Sequence, residues 1–218
     1  MCVSIIMTMD TQHAQKPATE VMHGDGLLIP EDRHRSSLYA LLNLLLAKPP
    51  TKNNLADISA LNGGDKVLGD AIETLSLLAK KIDIKTIERE YHNLFIGVGR
   101  GELLPYGSFY MTGFLNEKPL ANLRDDMKRI GIARSDSNSD PEDHIASLCE
   151  MMSGIISNQF YTQLSLNQQR DFFSTHLGPW AKHFFRDLEG AEHSVFYAPV
   201  GKLGSAFMAV EMEAFRFL

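Results

Sequence analysis

Residues 38–50 read LYALLNLLLAKPP. Leu38, Leu41, Leu42, Leu45 and Leu46 recur at three- and four-residue intervals, which sets them on one face of an α-helix. The Pro49–Pro50 pair then ends that helix, because proline has no N–H to donate and clashes with the preceding turn. A half-buried strand would alternate with period two, and this stretch does not.

The same helical period extends in both directions. It begins at Glu31, and after the prolines a weaker helix is expected over about 52–61, breaking at Asn62-Gly63-Gly64. Leu68, Ala71, Ile72, Leu75 and Leu78 form the next stripe, and Ile84, Ile87, Tyr91, Leu94 and Phe95 another. The run IGVGRGELLPYGS at 96–108 interrupts the pattern and is read as an irregular, mobile loop. A helix over about 118–130 should end at Gly131, a natural C-cap. The polar SDSNSD at 135–140 reads as a hinge before a long helix from Pro141 to about Tyr161, with Ile145, Leu148, Met152, Ile155 and Ile156 inward. Further helices are expected over about 166–188 and 192–217. Nothing alternates convincingly, and no solenoid repeat is present. The expectation is an all-α fold without a sheet, in a single multi-helix domain spanning 31–218. Residues 1–30 lack periodicity and are read as a flexible N-terminal segment.

Of 218 residues, 44% are apolar and 22% charged, enough to bury a sizeable core. A net charge of −6 excludes a typical nucleic-acid binder, which needs a basic face to displace phosphate counterions. It suits a partner carrying positive charge. The only two cysteines, Cys2 and Cys149, make no disulfide framework, so a reducing compartment is expected. The opening MCVSIIMTMD has no basic flank, and its apolar run is too short for export or for crossing a membrane. These features point to a cytoplasmic protein without stable membrane insertion.

Candidate catalytic patterns fail one by one. GVGRGE at 97–102 follows a helix and lacks the Lys-Ser/Thr of a phosphate loop. His144 and Cys149 are five residues apart, which turns them to different helix faces, so Cys149 is read as core. His176 and His183 lie two turns apart, too far to grip one ion through their helix alone. Glu20-Val-Met-His23 has the spacing of a di-metal motif but lacks partners, and Glu88 with His92 reads as a surface pair. His13, His23 and His34 are too widely spaced to set a geometry. No catalytic, cofactor or metal site is therefore expected, and the chain does not read as an enzyme.

Residues 139–144, SDPEDH, pack three carboxylates and a histidine into five positions. Locally they read as a helix start: Asp140 as N-cap, Pro141 at the first helical position, Glu142 and Asp143 facing the positive end of the dipole. His144 is left over.

Four ordered motifs together resemble the TorD/DmsD-type redox-enzyme maturation chaperones, distantly related to NarJ. They are Tyr91-x-x-Leu94-Phe95-x-Gly97, Pro105-Tyr106-Gly107-Ser108-x-Tyr110, Asp140-Pro-Glu-Asp143-His144 and His176-Leu177-x-x-Trp180. The resemblance covers about residues 35–218. It implies an all-helical cytoplasmic chaperone without cofactor. Such a chaperone binds the twin-arginine signal peptide and the immature (apo) catalytic subunit of a molybdenum- or tungsten-cofactor oxidoreductase, aiding cofactor insertion and delaying export. On this resemblance Tyr91, Leu94, Phe95, Pro105, Tyr106, Asp143 and His144 carry peptide recognition, and His176, Leu177 and Trp180 carry packing. It also admits a domain-swapped homodimer through the 135–140 hinge. The family often has Glu where Asp140 stands, and its loop after Phe95 is usually proline-containing rather than IGVGRGELL. A general helical adaptor without a twin-arginine client, or a nucleotide-hydrolysing factor, are the alternative functions. The residues themselves fit a basic and apolar ligand: Tyr91 and Phe95 sit one turn apart beside Leu94, and SDSNSDPED adds rim charge.

Overall fold

Helix α1, Pro30–Leu46, starts with Pro30 at a position where its missing N–H costs nothing. In this computed structural model, which describes residues 6–8, 28–64, 66–134, 140–160 and 163–218, α1 lies along α7, Ile145–Ile156. Its buried face centres on Tyr39, Leu42, Leu45 and Leu46, while Leu38 and Leu41 flank it half-buried. The stripe is thus rotated slightly from the leucine count, because Tyr39 occupies the middle of it.

Next come α2 (Lys52–Ser59), α3 (Lys66–Lys81) and α4 (Ile84–Tyr91). α2 begins with a capping box between Thr51 and Asn54 and packs on α3. α4 continues into one π-helical turn, His92–Ile96, closed where Gly97 takes φ 61°. After the loop come α5 (Gly107–Thr112) and α6 (Lys118–Ile130), the latter ending at left-handed Gly131 as its sequence implies. α8 (Leu166–His176), α9 (Ala181–Gly190) and α10 (Ala198–Arg216) complete the chain. α10 packs against both α9 and α3.

The contact between α9 and α10 depends on small residues. A Cβ on Gly201 would strike the backbone of Phe185 and Glu189, and one on Gly204 would strike the Phe185 ring. Trp180, Phe184, Phe185, Phe196, Tyr197 and Phe207 fill the core around this crossing, each at most 2% exposed. Burying one such side chain contributes roughly 1.5–3 kcal/mol. A polar network ties α1, α8 and α10 together. Arg35 donates to both oxygens of Glu211 at 2.7 and 2.9 Å, to Asp32 at 2.8 Å and to Gln169 at 3.3 Å, and Tyr39 donates to Glu211 at 3.1 Å.

The helical class holds, with five corrections to its parts. Ile6–Thr8 (β1) pairs antiparallel with Ile132–Arg134 (β2), Met7 opposite Ala133. Three residues are too short to show an alternating period, and β1 falls inside the segment read as flexible. The rest of residues 1–27, and hinge residues 135–139, lie outside the described residues. The helix expected from 141 starts only at Ile145 and ends at Ile156. The helix expected over 166–188 is two, divided at Leu177–Trp180, where Pro179 cannot donate to the ladder. The helix expected from 192 begins at Ala198, with Pro199 in its first turn. Helix α5 lies at the end of a stretch read as loop.

Candidate functional site

The π turn sets the first wall of the site. It widens the helix by one residue, so the Gly97 N–H reaches His92 O at 2.7 Å, and the returning loop pairs through Leu103 N to Leu94 O at 2.8 Å. Phe95 is thereby turned half outward, while Leu94 points into the core. Tyr91 packs on Phe95 with ring centroids 4.9 Å apart, and its hydroxyl donates to Leu46 O at 3.1 Å, which anchors it to the end of α1. Tyr197 closes the cluster behind, 5.7 Å from Phe95 and 5.9 Å from Tyr91.

The second wall is a stitch between two segments far apart in sequence. Ile145 N donates to Pro105 O at 2.8 Å and Gly107 N to Asp143 O at 2.9 Å, so Tyr106 and His144 face each other as a one-residue antiparallel bridge. Their rings meet edge to face at 5.1 Å. Trp180 supports the stitch from beneath. Its indole N–H donates to His176 O at 2.7 Å, and its ring lies 3.0 Å from where a Cβ on Gly107 would be, a tight contact. His176, Leu177 and Trp180 are all buried, as a packing motif should be.

Tyr91, Phe95, Ile96, Pro105, Tyr106 and His144 line one open cleft of about 330 Å³, completed by Ala47, Lys48, Pro49 and Asp140. Five of the seven residues expected to recognise a peptide therefore converge. The other two do not. Leu94 is fully buried behind the wall, and Asp143 lines a different cavity on the far side of the stitch. Ile96 is exposed at the cleft and Val98 beyond it is fully so, leaving an apolar lip.

The local reading of SDPEDH as a helix cap is corrected here. His144, not Asp140, is the N-cap of α7: its Nδ1 accepts from Ala146 N at 3.1 Å. Pro141, Glu142 and Asp143 form the preceding turn, with His144 N donating to Pro141 O at 3.1 Å. Each carboxylate has a partner distant in sequence that local propensity cannot foresee. Glu142 takes Arg124 of α6 at 2.7 Å, and Asp143 caps α5 by accepting from Ser108 N at 2.6 Å. Asp140 lies at the cleft, so it belongs with the site and not with the helix start.

Electrostatics follow from burial. Desolvation pushes His144 down to about 4, against the pull of Asp140, so the ring is neutral near pH 7. With Nδ1 accepting, the proton sits on Nε2, and the ring offers the cleft a neutral donor. Burial first, then the charges of Asp140 and Asp143 and a hydrogen bond to Asp140, pushes Tyr106 up to about 12, so its hydroxyl stays protonated. Burial and the Arg129 charge likewise push His176 down to about 4, leaving a neutral Nε2–H to donate to Asp126 at 2.7 Å. Burial raises the Cys149 thiol and keeps it an inert core group. Among the described residues no group of three or more His, Cys, Asp or Glu could hold a metal ion. The arrangement is a mixed cleft in which aromatic and aliphatic side chains alternate with the polar groups of Lys48, Tyr106, Asp140 and His144. It can bind; it has no activated nucleophile.

Ala47, Lys48, Pro49 and Ile96 were missed as cleft residues. For Ala47, Lys48 and Pro49 the signal was the double proline itself, which ends α1 beside Tyr91; Ile96 had none.

The chain is similar to known proteins. The family model described as nitrate reductase delta subunit matches residues 62–186. Chaperone protein TorD of Vibrio cholerae serotype O1 (strain ATCC 39315 / El Tor Inaba N16961) is 30% identical over 164 residues, 72% of this chain and 73% of that protein. Chaperone protein TorD of Vibrio atlanticus is 24% identical over 203 residues, covering 84% of this chain and 94% of that one. A crystal structure from Archaeoglobus fulgidus, described as a redox enzyme maturation protein, superposes with TM-score 0.54 at 24% identity, over 80% of this chain and 93% of that one. At that identity it supports the fold alone. No described helix is long and apolar enough to cross a membrane.

Proposed function

This chain belongs to the nitrate reductase delta subunit family, as a chaperone of the TorD type and not an enzyme, and from that premise we propose that its cleft binds the twin-arginine signal peptide of a molybdenum- or tungsten-cofactor oxidoreductase. The chaperone holds the immature catalytic subunit in the cytoplasm, favours cofactor insertion and delays export. The observation that carries this reading is the convergence of Tyr91, Phe95, Pro105, Tyr106 and His144 on one cleft. Aromatic and aliphatic walls give an apolar segment contact area, while Asp140 at the mouth and the net charge of −6 favour a basic start. The His144 Nε2–H suits a backbone carbonyl of an extended peptide.

The domain organisation belongs to the same proposal: a helical chaperone domain over 31–218, preceded by an N-terminal segment. The 135–140 segment is where α7 to α10 would exchange with a second chain in a swapped dimer, and sedimentation over a range of concentrations distinguishes that from a monomer.

Affinity purification of the tagged protein from its native host tests the function. We expect a molybdoenzyme precursor, still carrying its signal peptide, to co-purify with the wild-type protein and to be depleted with Tyr106→Ala. Equal recovery of any such precursor with both proteins, or none with wild type, contradicts the proposal.

A further inference from the structure

Two carboxylates bracket the first wall of the cleft: Glu90 stands just before Tyr91, and Glu102 closes the loop that returns after Phe95. Both reach one turn, residues 192–197 between α9 and α10, which lies 90 to 107 residues further along the chain. Glu90 is buried. Its Oε1 accepts from Val195 N and Tyr197 N, each at 2.8 Å, and its Oε2 accepts from Phe196 N at 3.0 Å. Glu102 is exposed. It accepts from Glu192 N at 2.6 Å and His193 N at 3.2 Å, and it pairs with the His193 ring at 2.9 Å. Five backbone N–H groups of a single turn therefore end on two carboxylates, the stronger, charge-assisted kind of hydrogen bond.

The turn needs that grip. No side chain of its own caps α10, so the donors ahead of the helix want an outside acceptor, and a carboxylate there also meets the positive end of the helix dipole. Its hydroxyls do not hold it either. Ser194 Oγ and Tyr197 OH are buried and make no hydrogen bond among the described residues. The Tyr197 ring is thus placed by its backbone, 5.7 Å from Phe95 and 5.9 Å from Tyr91. Phe95 is half-buried, with Tyr197 behind it and the cleft in front.

We propose that Glu90 and Glu102 are positioning residues for peptide recognition. By pinning the 192–197 turn to both ends of the wall, they hold Tyr197 against Phe95 and fix the ring that a bound peptide meets. Neither carboxylate lines the cleft, so their effect on a peptide passes through that ring. The gain is preorganisation: a ring set before binding has little freedom left to lose when the peptide arrives. This inference rests on the peptide-binding reading of the cleft.

A double-mutant cycle tests it. A synthetic peptide with a basic start and an apolar stretch is titrated calorimetrically into wild type, Glu102→Gln, Phe95→Ala and the double variant. Glu102 is exposed, so its variant should keep the fold, and circular dichroism checks that. We expect Glu102→Gln alone to weaken binding roughly three- to tenfold, and to add nothing once Phe95 is replaced, as coupled residues behave. An equal loss in both backgrounds overturns the proposal, because the carboxylate then acts on something other than Phe95. Glu90→Gln should follow the same pattern with a larger first step, since the amide sets a donor against the turn's own N–H groups; if that variant does not fold, the Glu102 cycle decides. Fluorine NMR of para-fluorophenylalanine placed at position 95 gives a readout that a general loss of stability does not move. Its resonance should shift or broaden in peptide-free Glu102→Gln, and an unmoved resonance overturns the proposal. If Phe95→Ala weakens binding and Glu102→Gln does not, the positioning role fails alone. If wild type binds no such peptide, the cleft reading fails and this inference with it.

Discussion

His144 shows how much one residue carries. It caps α7, packs on Tyr106 and offers a donor to the cleft at the same time. His144→Ala should therefore cost about 1 kcal/mol for the lost cap and more for lost packing. Asp140→Ala removes no cap and should cost less. Urea unfolding of the two variants beside wild type checks this order, and an Asp140 variant that is the less stable of the two would contradict it. The sign of the pH dependence follows from the depressed value of about 4. Between the unfolded value near 6.5 and that folded value, the unfolded chain binds a proton that the folded chain excludes. Stability is thus full above pH 6.5 and falls as pH drops towards 4. The loss by pH 5 should be on the order of 1–2 kcal/mol, at roughly 1.4 kcal/mol per unit. His144→Gln should flatten part of that slope in urea midpoints measured from pH 7.5 to 5. A slope unchanged by the substitution would show that the ring is not excluded from titrating.

At the scale of elements, the helices with long apolar stripes were legible and their ends were not. α1, α3 and α6 are found where the period sets them, because their faces and a bounding signal of each are local: a double proline after α1, Asn-Gly-Gly before α3, a C-cap glycine after α6. The start of α7 was misread because its carboxylates answer to Arg124 and Ser108, 18 and 35 residues away. The α8–α9 break was missed because apolar periodicity runs through Gly178-Pro179 without a gap. The crossing of α9 and α10 is equally silent in the sequence, although it leaves no room for a Cβ at Gly201 or Gly204. Gly201→Ala would improve helix propensity but drive a methyl into the backbone of α9. We expect a net destabilisation of about 1–3 kcal/mol, read as a lowered thermal midpoint. A rise in the midpoint would mean that the two helices are free to separate.

For the whole molecule, sequence reasoning recovered the class and named five residues that line one cleft, but not where Leu94 and Asp143 face. Tyr91 and Phe95 announced themselves by helical spacing. Pro105, Tyr106 and His144 were placed by resemblance, since no local pattern foretells a bridge between residues 106 and 144. Leu94 and Asp143 share those motifs yet face elsewhere, and only the π turn and the stitch explain why. The account rests most heavily on the cleft as a peptide site. Calorimetric titration at matched salt of a peptide with a basic start and an apolar stretch, into wild type, Tyr106→Ala and Ile96→Asn, tests it most directly. Ile96 is exposed on the cleft and outside the core, so its substitution should spare the fold. The account predicts at least a tenfold weaker Kd for Tyr106→Ala, about 1.4 kcal/mol, and a smaller loss for Ile96→Asn, both in folded protein. Wild-type affinity in both variants would contradict it.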